Sequence, residues 1–151
     1  MHEPTGLEVR GVLETCLYAE ELEASAGFYE RVLRLRAVSR LEGRHVFFRC
    51  GSGMFLLFDP NATQTDGGEV PPHGARGPGH VAFAVGAAEL GSWRVHLERE
   101  GVPVEADVTW PSGGTSLYLR DPAGNSVELT TPTIWSIPEE DGLIGRPEAD
   151  P

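Results

Sequence analysis

Two stretches of this chain carry the same order of elements, and that repeat constrains the fold more than any other feature. Leu13 to Pro60 reads strand, helix, then three strands, and Gly79 to Pro132 reads the same way. Glu14 opens the first copy, and His80, 66 positions on, opens the second. The pairs Leu22/Leu90, Arg49/Arg120 and Pro60/Pro132 follow at offsets of 68, 71 and 72. Two copies cannot bury a stacked solenoid core. The expected fold is α+β: two βαβββ modules in tandem, forming curved mixed sheets around a central cavity. The expected boundaries are one domain over residues 1–135, with module one at 11–60, a linker at 61–78 and module two at 79–132. An acidic, proline-rich tail follows at 136–151.

Composition removes several function classes. A net charge of −11 argues against a nucleic-acid or anionic-membrane partner. All 12 basic residues are arginine, which excludes a lysine Schiff base and a P-loop lysine. Cys16 and Cys50 sit in apolar strand patterns without a CxxC, as reduced thiols of a cytoplasmic protein would. No apolar signal core opens the chain, and no run approaches about 18 apolar residues. A soluble cytoplasmic protein is expected.

Periodicity places a helix at Glu20 to Leu35, with Leu22, Ala26, Tyr29 and Leu33 on its apolar face. A second helix runs from Ala88 to Glu100, with Leu90, Trp93 and Leu97 in the core and Gly101 as its stop. The tail carries Ile134, Trp135, Ile137, Leu143 and Ile144, and is either disordered or an arm that docks on a neighbour.

Strand alternation then sorts the functional side chains. Val81, Phe83 and Val85 suit packing under a helix, which turns His80, Ala82 and Ala84 the other way. Val127 and Leu129 leave Ser126, Glu128 and Thr130 opposite them. Leu13 and Leu17 go with the first helix, so Glu14, Cys16 and Tyr18 face inward. Glu14, His80 and Glu128 are therefore metal-competent groups predicted on one concave surface. Carboxylate oxygen and imidazole nitrogen suit Zn, Mn, Fe or Ni, and three ligands leave positions open. The alternative is two solvated strand-end carboxylates and a satisfied histidine.

Three segments resemble the vicinal oxygen chelate superfamily, which groups glyoxalases, bleomycin-resistance proteins, fosfomycin-resistance enzymes and extradiol dioxygenases. Ala19-Glu20-Glu21-Leu22-Glu23-Ala24-Ser25-Ala26-Gly27-Phe28-Tyr29 resembles the first-helix signature. Gly79-His80-Val81-Ala82-Phe83 resembles the second-module opening strand. Arg120-Asp121-Pro122-Ala123-Gly124-Asn125-Ser126-Val127-Glu128-Leu129 resembles the closing hairpin. The resemblance spans about residues 11–135. It implies metal ligands on the first and last strands of each module, here Glu14, His80 and Glu128. Leu56 stands at the fourth position and cannot bind metal.

The resemblance implies a small metal-dependent enzyme of lyase, isomerase or oxygenase type. It would stabilise an oxyanion or enediolate on a divalent ion, with Glu14 or Glu128 as catalytic base. The alternative is a metal-free protein of the bleomycin-resistance type that sequesters a small ligand among Phe47, Met54, Leu56, Phe58 and Tyr118. His45 is either a base or substrate contact, or a cavity-edge histidine. His73 lies either on a loop that closes over the pocket or on a plain linker. Arg49 and Arg120 either clamp an anionic substrate or pair locally, Asp121 being the near carboxylate for Arg120. Open sheet edges and the apolar tail predict a homodimer, with the modules paired within one chain or across two.

Overall fold

In the computed structural model, which describes residues 6–143, each module builds one four-stranded mixed sheet. Module one runs β1 (Glu14–Tyr18), α1 (Leu22–Arg31), β2 (Arg36–Leu41), β3 (His45–Cys50) and β4 (Gly53–Phe58). A short α2 (Pro60–Thr63) opens the linker. Module two runs β5 (His80–Ala84), α3 (Leu90–Arg99), β6 (Ala106–Thr109), β7 (Thr115–Arg120) and β8 (Ser126–Thr130). The chain then makes a 3-10 turn at Pro132–Trp135 and a short α4 at Glu139–Gly142. The strand orders, β1-β4-β3-β2 and β5-β8-β7-β6, are identical in topology. In each sheet the first strand pairs in parallel with the last, and the remaining pairs are antiparallel. The strand-and-helix repeat read from the sequence is thus the repeat of the fold.

Alternation decides which face is covered. In β3, Val46 and Phe48 are buried while His45 and Phe47 are half-buried on the opposite face. In β5, Val81 is buried while His80, Ala82 and Ala84 are exposed. The helix α1 buries Leu22, Ser25, Ala26, Phe28 and Tyr29, a face wider than the periodicity alone predicts. It ends at Arg31, four residues before the expected boundary, where the chain turns through Arg34 in the left-handed region at φ 57°. In module two the stop falls where expected, because Gly101 takes φ 69° without a Cβ penalty.

One hydrophobic core draws on both modules. Tyr29, Phe48 and Phe55 from the first meet Leu97, Leu117, Leu119, Val127 and Leu129 from the second. The Phe55 and Phe83 rings meet edge to face at 5.4 Å. The two helices touch where His96 Nε2 donates to the Val32 carbonyl at 2.8 Å and Arg31 pairs with Glu100 at 2.9 Å. A buried polar knot completes the join. Tyr29 Oη donates to Asp121 Oδ2 at 2.7 Å, and Asn125 donates to both Asp121 oxygens. The same Asn125 amide reaches the Tyr18 carbonyl and accepts from the Gly79 N–H at 2.7 Å. It thereby fixes the end of β1 against the start of β5.

Two expectations are corrected. Leu13 is 74% exposed, because helix cover on its face begins only at Leu17; Thr15 between them is exposed too. Trp93 is half-buried against the core, and Leu97 is the buried residue of α3. After β8 the described residues make two short helical turns, and Trp135 there is 77% exposed. Ile144 lies outside the described residues. Among the described residues no helix is long and apolar enough to cross a membrane.

Candidate functional site

The uncovered face of module two carries a polar cluster. Cross-strand register sets Ser126 between His80 and Arg120, and Glu128 between Ala82 and Tyr118. Glu128 is only 5% exposed, an unusual depth for a carboxylate without a role. Its Oε2 accepts from the Ser116 hydroxyl at 2.6 Å, and its Oε1 lies 3.3 Å from His80 Nε2. On the far side of the imidazole, Nδ1 meets the Ser126 carbonyl at 3.1 Å and its hydroxyl at 3.3 Å. A carbonyl only accepts, so Nδ1 carries a hydrogen and Nε2 is the nitrogen turned toward Glu128. The Tyr118 ring lies near parallel to His80, and its hydroxyl is pushed up by burial first and by Glu128 second.

This pair fits a metal ion. Two donors held at about 2.0–2.2 Å from one tetrahedral ion stand about 3.3–3.5 Å apart, and the two atoms here are 3.3 Å apart. The expected third ligand does not join them within one chain. Among the described residues no three His, Cys, Asp or Glu side chains lie together to hold an ion. Glu14 has the expected strand parity, but it is exposed on the other sheet.

The uncovered face of module one is aromatic. Phe58 packs at 6.2 Å from Tyr18, 5.4 Å from Phe47 and 4.7 Å from His73. His45 stacks on Phe47 at 3.9 Å with nearly parallel rings. Burial, and then Arg44, pulls the His45 pKa down, and its Nδ1 is buried without a partner among the described residues. The linker histidine His73 docks here: its Nδ1 lies 2.6 Å from Tyr18 Oη. Burial, reinforced by Cys16, pushes the Tyr18 pKa up to about 12. Register places buried Leu56 where module two has Glu128, with half-buried Met54 in the next row.

The two arginines part company. Arg120 donates to Glu105 Oε2 at 2.9 Å and to the Gly124 carbonyl. Its partner is therefore Glu105 and not Asp121, which the Tyr29–Asn125 knot occupies. Arg49 is exposed beside Met54. Sequence reasoning missed Ser116 and Trp110. The available signal was parity, since Ser116 stands two residues before Tyr118 and so shares its face.

Comparison with known proteins adds the family. The family model described as Glyoxalase/Bleomycin resistance protein/Dioxygenase superfamily matches residues 11–129. The chain belongs to this superfamily. Among solved structures it is similar to a lactoylglutathione lyase from Agrobacterium tumefaciens, at 42% identity and TM-score 0.82, covering 85% of this chain and 98% of that one. A glyoxalase/bleomycin resistance protein/dioxygenase from Nocardioides aligns at 22% identity and TM-score 0.65, covering 83% and 85%. A genomically encoded fosfomycin resistance protein from Listeria monocytogenes aligns at 18% identity and TM-score 0.62, covering 82% and 94%. The last two likenesses concern the fold alone. No curated protein sequence matches the chain. As a member of the glyoxalase/bleomycin resistance/dioxygenase superfamily, the chain offers a polar donor pair on one sheet and an aromatic surface on the other.

Proposed function

We propose that this superfamily member is a metal-dependent enzyme of the glyoxalase type, with lyase or isomerase chemistry on a small substrate bearing two adjacent oxygens. The observation that carries this reading is the His80–Glu128 pair, with its imidazole oriented by Ser126 and its carboxylate by Ser116. These two residues would hold a divalent ion (Zn, Ni, Mn or Fe), and Glu14 from a second copy would complete the set. Once bound, such an ion supplies Lewis-acid stabilisation of an oxyanion or enediolate on the substrate. Glu14 is exposed on an edge strand, whereas Ser116 ties Glu128. Glu14 is therefore the less tethered of the two carboxylates, the one that would give up its place in the set to take a proton from the substrate carbon and return it. Tyr18, His45, Phe47, Phe58 and His73 form a surface for the apolar part of the substrate, with Met54 and Leu56 beneath it and Arg49 at its edge. The 42% identity to a lactoylglutathione lyase supports 2-oxoaldehyde–thiol adducts as the first substrates to test.

The dimer assumed in this reading has its own support. Val12 and Leu13, next to Glu14, are 87% and 74% exposed, and among the described residues β1 and β5 each have one edge without a partner strand. The unpaired thiols Cys16 and Cys50 support a reducing, cytoplasmic setting.

A second reading rests on Leu56. With no donor there and an aromatic face around it, a metal-free protein that sequesters a small ligand is the competing function. Metal analysis of the purified protein decides between them. The enzyme reading expects a bound divalent ion that His80→Ala abolishes without unfolding, and turnover that chelation removes and added metal restores. Ligand binding unchanged by chelation, with no product, would refute it.

A further inference from the structure

We propose that Ser116 is a positioning residue for Glu128, anchored by Trp110, and that together they make Glu128 present a single oxygen beside His80. Ser116 lies on β7 with no exposed surface. Its Oγ stands 2.6 Å from Glu128 Oε2, 2.9 Å from Trp110 Nε1 and 2.8 Å from Thr130 Oγ1.

The direction of these bonds follows from the inventory of donors. An indole N–H only donates, so it must fill a lone pair on the Ser116 oxygen. A carboxylate only accepts, so the single Ser116 hydrogen goes to Glu128. Thr130 then donates to the second lone pair. With the indole N–H donating to its oxygen and the Thr130 hydroxyl at its other side, the Ser116 hydrogen is left for Glu128. The bond to the carboxylate is charge-assisted and correspondingly short. The Ser116 bond holds Glu128 Oε2 on the β7 side and turns Oε1 toward His80 Nε2, 3.3 Å away. The carboxylate is thereby oriented with Oε1 as the oxygen nearest the imidazole.

Trp110 is itself fixed. It opens the turn into β7, where its N–H donates to the Gly114 carbonyl at 3.0 Å and its carbonyl accepts from Gly113 at 2.9 Å. Gly113 and Gly114 both take left-handed φ values, 99° and 86°, that a side chain would oppose. A Cβ at Gly114 would also meet Thr131 Oγ1 at 2.5 Å. Trp110 is 36% exposed, so the anchor sits at the solvent edge of the polar cluster and can be read by its fluorescence.

This inference rests on the metal reading of His80 and Glu128, and its test separates the two. Mn²⁺ affinity and apo-protein tryptophan emission are measured for the wild type, Ser116→Ala and Trp110→Phe, with melting curves to establish folding. Residues that orient a ligand from behind typically carry about 10–100-fold in metal affinity. Ser116→Ala is expected to lose that much, and Trp110→Phe to lose less in the same direction. Ser116→Ala should also shift the emission of Trp110 in the apo protein, a signal that Trp110→Phe removes while Trp93 and Trp135 remain. A wild type that takes up no Mn²⁺, with the emission still responding to Ser116→Ala, refutes the metal reading and leaves the Trp110–Ser116–Glu128 chain standing. Folded Ser116→Ala protein with wild-type Mn²⁺ affinity overturns the proposal, as does an apo emission indifferent to the change.

Discussion

Replacing Tyr29 by phenylalanine tests how the two modules are joined. Tyr29 is fully buried, and its hydroxyl donates at 2.7 Å to Asp121, which is 4% exposed and lies 92 positions away in sequence. The ring packs against Phe28, Phe48, Phe55 and Phe83, and phenylalanine keeps that packing. What is lost is one hydrogen bond to a buried carboxylate, which then retains only the two bonds from Asn125. Hydrogen bonds to charged groups contribute about 1.5–3 kcal/mol. In a domain of this length about 2 kcal/mol lowers the melting temperature by about 4–8 °C. The pH dependence is diagnostic. Burial, then Asp121, raises the Tyr29 pKa above its ordinary value of 10.0. The folded state therefore holds this proton more tightly than the unfolded chain does. The resulting stability is complete below about pH 10 and is lost as pH rises further, by about 1.4 kcal/mol per pH unit. The wild-type advantage over Tyr29→Phe should hold from pH 6 to 9 and shrink above 10. Denaturant unfolding of both proteins across that range measures it. A melting temperature within about 1 °C of wild type, or a constant difference up to pH 11, would refute the argument.

Other outcomes follow from the two uncovered faces. The His45 pKa, lowered by burial and then by Arg44, should appear as an NMR titration midpoint below 6.5 that rises in Arg44→Ala. Because the folded value is depressed, its stabilising contribution is present above pH 6.5 and is lost as pH falls below it; a midpoint at or above 6.5 would contradict the burial. Light scattering at micromolar concentration should give the mass of a dimer, and Leu13→Asp should convert it to monomer by charging an apolar contact. A wild-type monomer, unchanged on truncation after Pro132, would remove the dimer and with it the route by which Glu14 reaches His80. Burial pushes the Cys50 thiol up, so alkylation of Cys50 should be slow in the folded protein and rapid after denaturation; equal rates would show that β3 opens freely.

What the sequence determined by itself is whatever depends on local periodicity. The repeat of elements along the chain and the face of most strand residues follow from alternation along strands and the 3.6-residue period of helices, which neighbours in sequence settle between themselves. His80 and Glu128 were legible for that reason, since parity on two paired strands forces them onto one surface. Tertiary structure alone decided which surfaces meet. Glu14 has the same parity, yet it stands apart because it belongs to the other sheet, and parity carries no information on how two sheets are placed. Arg120 chose Glu105 over the adjacent Asp121 because Tyr29, from the other module, already held that carboxylate. Ser116 and Trp110 were invisible for a similar reason. A serine in a strand and a tryptophan in a turn carry no chemical signature until a hydrogen-bond chain, closed over 12 residues of hairpin, ties both to Glu128. Local pattern chooses the face, and only long-range packing chooses the partner, because contact energies depend on neighbours that the folded chain alone brings together.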